Sequence, residues 1–378
     1  MRSRSALTGA AVAAVVVASL AGGTAQAVET PAGGSGDVRW SGANRYLTAV
    51  EVSERTYAPT VPVVYLASGE NYPDALAAGP AASDGQGPVL LTPQSSLPTA
   101  VADEITRLQP EKVVVLGGPT VVSADVADAA EKAAGATVER IAGENRYETA
   151  ALLAGSSAKT VYLASGQAFP DALAAGPAAI RENGALLLTK KDTLPTATAD
   201  KLKDLNPTTV VIVGGTSAVS GDVATDVAKY AKVVRVGGRD RYQTAAKVAL
   251  RLWTSTGGTV FYATGLNFPD ALAGAPSAGV NDAPILLTKQ ACNPYPTTAA
   301  TEDLDPKLRV ALGGKAVTYL GDTTCGPSPA YPFPYDLDCK DFSSQAAAQR
   351  WYDYWYPYVG DYFRLDGDND GKVCEYWR

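Results

Sequence analysis

The chain has 378 residues, 46% hydrophobic and 19% charged, room for two to four domains at roughly 100 to 200 residues each, so a single small domain is excluded. The formal net charge is −7 and histidine is absent. The acidity argues against nonspecific nucleic-acid binding; the missing histidine removes His-based triads, Cys/His dyads and the usual zinc-water sites.

Residues 1–27 read as a secretory leader: Met1-Arg2-Ser3-Arg4-Ser5, an apolar run from Ala10 to Leu20, then Ala25-Gln26-Ala27, the small-x-small pattern of a cleavage site. The run falls short of the ~20 residues that span a bilayer, and nothing after residue 27 is long or apolar enough to do so. An exported mature chain with no integral membrane segment is therefore expected. Losing Arg2 and Arg4 with the leader takes its formal charge to −9. No cysteine follows the leader to carry a lipid and Tyr376-Trp377-Arg378 is no apolar anchor tail, so retention on a cell has to be noncovalent.

After a short linker (28–37), one string of landmarks occurs three times. The first landmark begins at Arg39, Arg140 and Arg235 and shares the pattern R-x-x-G-x-[ND]-R-Y-x-T-A. The second is Tyr72-Pro73-Asp74-Ala75-Leu76, then Phe169-Pro170-Asp171-Ala172-Leu173, then Phe268-Pro269-Asp270-Ala271-Leu272. An apolar run ending in threonine (Thr92, Thr189, Thr288) comes next, then a glycine pair at Gly117-Gly118, Gly214-Gly215 and Gly313-Gly314; these last three landmarks recur at offsets of 97 and 99 residues. The repeats span 38–136, 137–233 and 234–325.

Within a repeat, short continuous apolar runs such as Val161 to Ala164, Leu186 to Leu188 and Val210 to Val213 predict strands buried on both faces, as in parallel sheets. Helical spacing over Ala197 to Leu205, and Asp222 to Ala231 behind the N-cap candidate Ser220, predicts helices between them. This alternation implies open α/β modules. The third repeat departs: Lys315 to Cys325 comes after its glycine pair, without the terminal helix expected at Ser123 to Ala134 and Ser220 to Ala231.

These landmarks resemble the type 2 cell-wall-binding repeat, over about residues 38–325. The resemblance implies three tandem open, mostly parallel-sheet modules in a pseudo-threefold arrangement, on an exported protein that attaches noncovalently to an anionic polymer of a Gram-positive envelope.

Gly326 to Tyr335 holds four prolines in ten residues and predicts a semi-rigid spacer. The last segment, 336–378, is too short to build a sufficient core alone, so a disulfide and a metal are expected to compensate. Four cysteines in an exported chain imply disulfides. Of three formal pairings, their order favours Cys292 with Cys325 and Cys339 with Cys374, each closing a loop within one segment.

Asp366-Gly367-Asp368-Asn369-Asp370-Gly371 sets carboxylates at alternate positions before a turning glycine, a pattern suited to Ca²⁺. Trp377 stands where an EF-hand carries its twelfth-position glutamate, with Glu375 two residues earlier. With Asp338-Cys339-Lys340-Asp341-Phe342 upstream, the segment resembles the Excalibur extracellular calcium-binding domain. That resemblance implies carboxylate ligands from Asp366, Asp368 and Asp370, a carbonyl from Lys372, closure by Glu375, and a loop tied down by Cys339 and Cys374. The rival reading is a solvated acidic turn.

Arg45, Arg146 and Arg241 are candidates for contacting an anionic polymer, since guanidinium groups pair well with phosphate and carboxylate. The competing and favoured reading pairs each with Asp74, Asp171 or Asp270 of its own repeat. The expected function is a noncatalytic cell-wall-binding protein with a calcium-binding tail. The alternatives are a calcium-organised structural or adhesive protein, and an unrecognised secreted enzyme using Ser68, Ser165 or Thr264 at strand ends.

Overall fold

The computed structural model describes residues 36–254 and 257–325, together with Cys339, 344–346, 348–349, Tyr352, Tyr356, Leu365, Asp366 and 371–375. The leader, the proline-rich spacer, Asp368 and Asp370 lie outside the described residues.

The first repeat runs β1 (Gly36–Trp40), α1 (Arg45–Thr56), β2 (Val63–Ser68), α2 (Ala78–Asp84), β3 (Val89–Thr92), α3 (Thr99–Leu108), β4 (Lys112–Leu116) and α4 (Ala124–Ala134). The second runs β5 (Thr137–Ile141), α5 (Arg146–Leu153), β6 (Thr160–Ser165), α6 (Pro170–Arg181), β7 (Ala185–Thr189), α7 (Thr196–Leu205), β8 (Thr209–Val213) and α8 (Gly221–Val227). The third runs β9 (Lys232–Val236), α9 (Arg241–Leu252), β10 (Thr259–Thr264), α10 (Pro269–Val280), β11 (Ile285–Thr288), α11 (Tyr295–Leu304) and β12 (Leu308–Leu312). The strands expected at Val161 to Ala164, Leu186 to Leu188 and Val210 to Val213 are the buried interiors of β6, β7 and β8. Ser123 and Ser220 cap α4 and α8, each hydroxyl accepting the N–H three residues on, which satisfies a donor the helix leaves open.

Among the described residues the strands form three four-stranded parallel sheets, ordered β3-β2-β4-β5, β7-β6-β8-β9 and β11-β10-β12-β1. The strand that opens each sequence repeat thus completes the sheet of the preceding one. For β1 the preceding one is the third repeat: Gly36 to Trp40 pair in register with Leu308 to Leu312. This closes the three repeats into a ring. Arg309 clamps the join, its Nε and Nη2 donating to the two carboxylate oxygens of Asp37 at 2.6 and 2.8 Å, and Trp40 is buried edge-to-face on Phe261.

At the centre of the ring α2, α6 and α10 pack against one another. Their small residues permit the approach: a Cβ on Gly279 would sit 2.6 Å from Cγ2 of Ile180. At one end of this bundle Tyr72, Phe169 and Phe268 meet pairwise with ring centroids 5.5, 5.5 and 6.1 Å apart. One aromatic from each repeat on a common axis gives the pseudo-threefold arrangement its geometry, and no helix among the described residues is long and apolar enough to cross a membrane.

Both favoured disulfides form, Cys292–Cys325 and Cys339–Cys374. Where α4 and α8 dock their caps, Ser123 and Ser220 donating N–H to Gln94 and Lys191, the third repeat has no helix. Asn293 there exchanges backbone hydrogen bonds with Thr323 and Cys325, and its amide Nδ2 donates to the Gly321 carbonyl. The bridge from Cys292 pins this segment in place of the missing helix.

Candidate functional site

The R-x-x-G-x-[ND]-R-Y-x-T-A landmark builds the start of each repeat, and its opening arginine reaches across the seam to the preceding one. The opening arginines Arg39, Arg140 and Arg235 donate through Nη1 to the carbonyls of Gly313, Gly117 and Gly214 at 2.6, 2.6 and 2.9 Å. Burial lowers the pKa of all three. The landmark glycines Gly42, Gly143 and Gly238 donate N–H to the hydroxyls of Thr48, Thr149 and Thr244. Asn44, Asn145 and Asp240 cap α1, α5 and α9 through their side-chain oxygens.

The second arginines do not pair within their own repeats with Asp74, Asp171 and Asp270. Arg45, Arg146 and Arg241 instead donate Nη1 to the carbonyls of Gly69, Gly166 and Gly265, the residues directly after β2, β6 and β10. The tyrosine beside each arginine packs on that same glycine, where an added Cβ would lie 2.6 to 2.7 Å from the ring. The physical reason is reach: a guanidinium leaving the first turn of α1, α5 or α9 meets the strand-end carbonyl of its own sheet, whereas the aspartate stands at the start of the central helix and faces the neighbouring repeat.

The aspartates accordingly look across the seams. The Thr149 hydroxyl donates to Asp74 Oδ1 at 3.0 Å, Thr244 hydrogen-bonds Asp171 with Arg241 nearby, and Arg45 of the first repeat faces Asp270 of the third. The carboxylates also explain the glycine pairs. Gly117, Gly214 and Gly313 adopt φ of +91°, +116° and +92°, and a Cβ there would fall 2.9, 2.5 and 2.2 Å from an oxygen of Asp74, Asp171 and Asp270. Burial pushes Asp171 and Asp270 up to about 6, against the lowering influence of Thr244 and Arg241 on the one and of Arg45 on the other. The glycine pairs thus receive an aspartate of their own repeat, and their helices α4 and α8 start several residues later at Ala124 and Gly221.

Arg45, Arg146 and Arg241 are half-buried. Arg146 lies 6.0 Å from the Tyr72 ring centroid and Arg241 5.8 Å from that of Phe169. The hydroxyls of Ser68, Ser165 and Thr264 accept N–H groups two residues on, from Glu70, Gln167 and Leu266, so they close the turn that presents these loops.

In the tail, Asp366 is buried and its Oδ2 accepts from the Tyr352 hydroxyl at 3.0 Å and from the Gly371 N–H at 2.8 Å. Gly371 has φ +88°, a left-handed turn that favours glycine. Lys372 Nζ stands 4.0 Å from Glu375, beside bonded Cys374. No group of three metal-ligating side chains occurs among the described residues.

Fold and seam together define a class: a closed ring of three α/β repeats joined by recurring arginine, threonine and aspartate contacts. The chain belongs to the cell wall binding domain 2 family, whose model matches residues 39–127, 140–224 and 235–323. Among curated proteins it is 34% identical over 253 residues to the N-acetylmuramoyl-L-alanine amidase LytC of Bacillus subtilis, covering 66% of this chain and 50% of that protein. It is 33% identical over 268 residues to the Bacillus subtilis amidase enhancer, covering 70% of this chain and 36% of the enhancer. The chain therefore spans half the length of the one and about a third of the other. Among solved structures it is similar to Cwp6 from Clostridium difficile, with TM-score 0.71, 25% identity and coverage of 78% of this chain and 49% of that one. Cwp8 from the same organism gives TM-score 0.69, 27% identity and coverage of 74% and 50%.

Proposed function

We propose that this chain is an exported, noncatalytic protein that attaches to a cell wall by binding an anionic envelope polymer through its three repeats. One observation carries the reading: three half-buried arginines, Arg45, Arg146 and Arg241, recur at equivalent places, each anchored through Nη1 to a strand-end carbonyl, with Arg146 and Arg241 over rings of the shared aromatic cluster. Such anchoring fixes the guanidinium planes before a ligand arrives, which lowers the ordering cost of binding. Three linked sites on one polymer add avidity that no single site needs to supply. Membership of the cell wall binding domain 2 family supports the same reading.

The tail is read as an Excalibur-like calcium-binding domain. Buried Asp366, the left-handed Gly371 that donates to it, and the Cys339–Cys374 bridge suit a short oxygen-ligand loop. Asp366, Asp368 and Asp370 would supply carboxylates, Lys372 its carbonyl, and Glu375 would close the site around Ca²⁺.

Cosedimentation of residues 28–378 with purified walls, before and after removal of the anionic polymers, in calcium and in chelator, tests both parts. Binding lost with the polymers and indifferent to chelator is the expected result. Binding lost in chelator would favour the calcium-organised adhesive alternative, and no binding to any wall overturns the attachment reading.

A further inference from the structure

The three arginine sites are built alike and charged differently. Six positions surround each: two before the arginine, the arginine itself, the residue two after it, the residue after the strand-end glycine, and the residue after the strand-end threonine. Contacts tie them together in every repeat. The residue two after the arginine packs its Cβ on the landmark glycine. The residue after the strand-end glycine begins the loop above the arginine's carbonyl acceptor. The residue after the strand-end threonine adjoins the carbonyl to which that glycine donates its N–H, Thr92, Thr189 or Thr288.

In the first repeat these positions hold Ala43, Asn44, Arg45, Leu47, Glu70 and Pro93, one basic and one acidic residue. In the second they hold Glu144, Asn145, Arg146, Glu148, Gln167 and Lys190, two basic and two acidic. Both are formally neutral. In the third they hold Arg239, Asp240, Arg241, Gln243, Leu266 and Lys289, three basic and one acidic, for a net charge of +2.

The third site also differs in shape. In the first two repeats the side chain at the Leu266 position caps the neighbouring loop, Glu70 and Gln167 accepting the N–H of Gln94 and Lys191 at 3.3 and 2.9 Å. Leu266 has no such oxygen and stands 62% exposed, an apolar face beside the arginine. Lys289 extends over Tyr242, its Nζ 6.0 Å from the ring centroid. Its loop is pinned by Cys292–Cys325, since Lys289 N–H donates to the Cys292 carbonyl and the Lys289 carbonyl accepts from Tyr319.

We propose that the repeats are unequal binders, with the third as the anchoring subsite for an anionic polymer: Arg239, Arg241 and Lys289 take its phosphate or carboxylate groups, and Leu266 packs on an adjoining sugar or polyol. This rests on the attachment reading. A local basic site on an acidic chain concentrates an anionic ligand at that end, while the neutral sites add contacts once it is held. The polymer then docks with a fixed polarity around the ring.

The test measures binding of the 28–378 chain to poly(glycerol phosphate) and to polygalacturonate at several salt concentrations. The variants are Arg239→Gln with Lys289→Gln in the third repeat, and Lys190→Gln as the matched change in the second. All three positions are exposed, and thermal melts verify the fold. The double variant is expected to lose at least tenfold in affinity and part of its salt dependence, and Lys190→Gln less than threefold. The more affected polymer identifies phosphate or carboxylate as the recognised group. Equal losses in the two repeats, or a double variant that binds like wild type, overturn the unequal-subsite assignment and leave wall attachment standing. A wild-type chain that binds neither polymer nor wall removes both.

Discussion

Repeats one and two are completed by strands that come later in the chain, whereas repeat three is completed by a strand from the chain's opening segment. In the former, β5 and β9 arrive after α4 and α8 and complete the sheets. In the latter, the edge strand comes from β1, with Asp37 and Arg309 joined across 272 positions, and a disulfide stands where a helix would pack. Repetition alone therefore makes only an open row. Closure needs one displaced strand, and the repeat that receives it is the one whose ending was rebuilt.

The largest expected effect comes from breaking that closure. Trp40→Ala removes a fully buried indole from the join and should cost about 3–5 kcal/mol. Chemical denaturation would show it, with the third repeat unfolding first by hydrogen exchange. An unchanged midpoint would mean that β1 does not hold the ring.

Serine at both Cys292 and Cys325 opens a link across 33 positions and should cost about 2–4 kcal/mol. Loss of protection should concentrate in 289–325, while the matching change at Cys339 and Cys374 should leave the ring's melting temperature alone. A uniform effect across all three repeats would mean that the bridge supports the whole ring and not the third repeat in particular.

Gly214→Ala and Gly313→Ala should each cost about 1–3 kcal/mol from the left-handed backbone alone, with further loss from the aspartate oxygen that the methyl meets. Gly118→Ala, where nothing lies within 4 Å, serves as the mild comparison in the same thermal melts.

The remaining test is a pH slope. Asp171 and Asp270 sit at about 6 in the folded chain, above the roughly 3.9 of an unfolded aspartate. The folded state then binds more protons between those values, so their contribution to stability is present at low pH and is lost as pH rises from about 4 to about 6. Melting temperatures across that window should fall more for wild type than for Asp171→Asn with Asp270→Asn. Parallel curves would show that these seams do not titrate.

Much of the ring was legible as pattern. Apolar runs such as Val210 to Val213 announced buried parallel strands, because a strand covered on both faces needs no polar alternation. Ser123 and Ser220 announced helix starts through a local capping bond, and cysteine order pointed to the two bridges found. The arginine partners were not legible. Pairing Arg45 with an aspartate is reasonable by charge, yet the nearer acceptor is an uncharged carbonyl, which charge counting does not register. Thr48, Thr149 and Thr244 were visible as repeated letters, and their repetition at a fixed distance after Gly42, Gly143 and Gly238 was the one available signal of their role.

The sequence by itself determined the three-fold repetition, the parallel α/β character and the recurring arginines, since each depends on spacing within about a hundred residues. Tertiary structure decided that β1 crosses to β12, that Asp74, Asp171 and Asp270 face the next repeat, and that Tyr72, Phe169 and Phe268 share an axis. Those contacts join segments from separate repeats, and periodicity within a repeat carries no information about which neighbour supplies the other half of a seam.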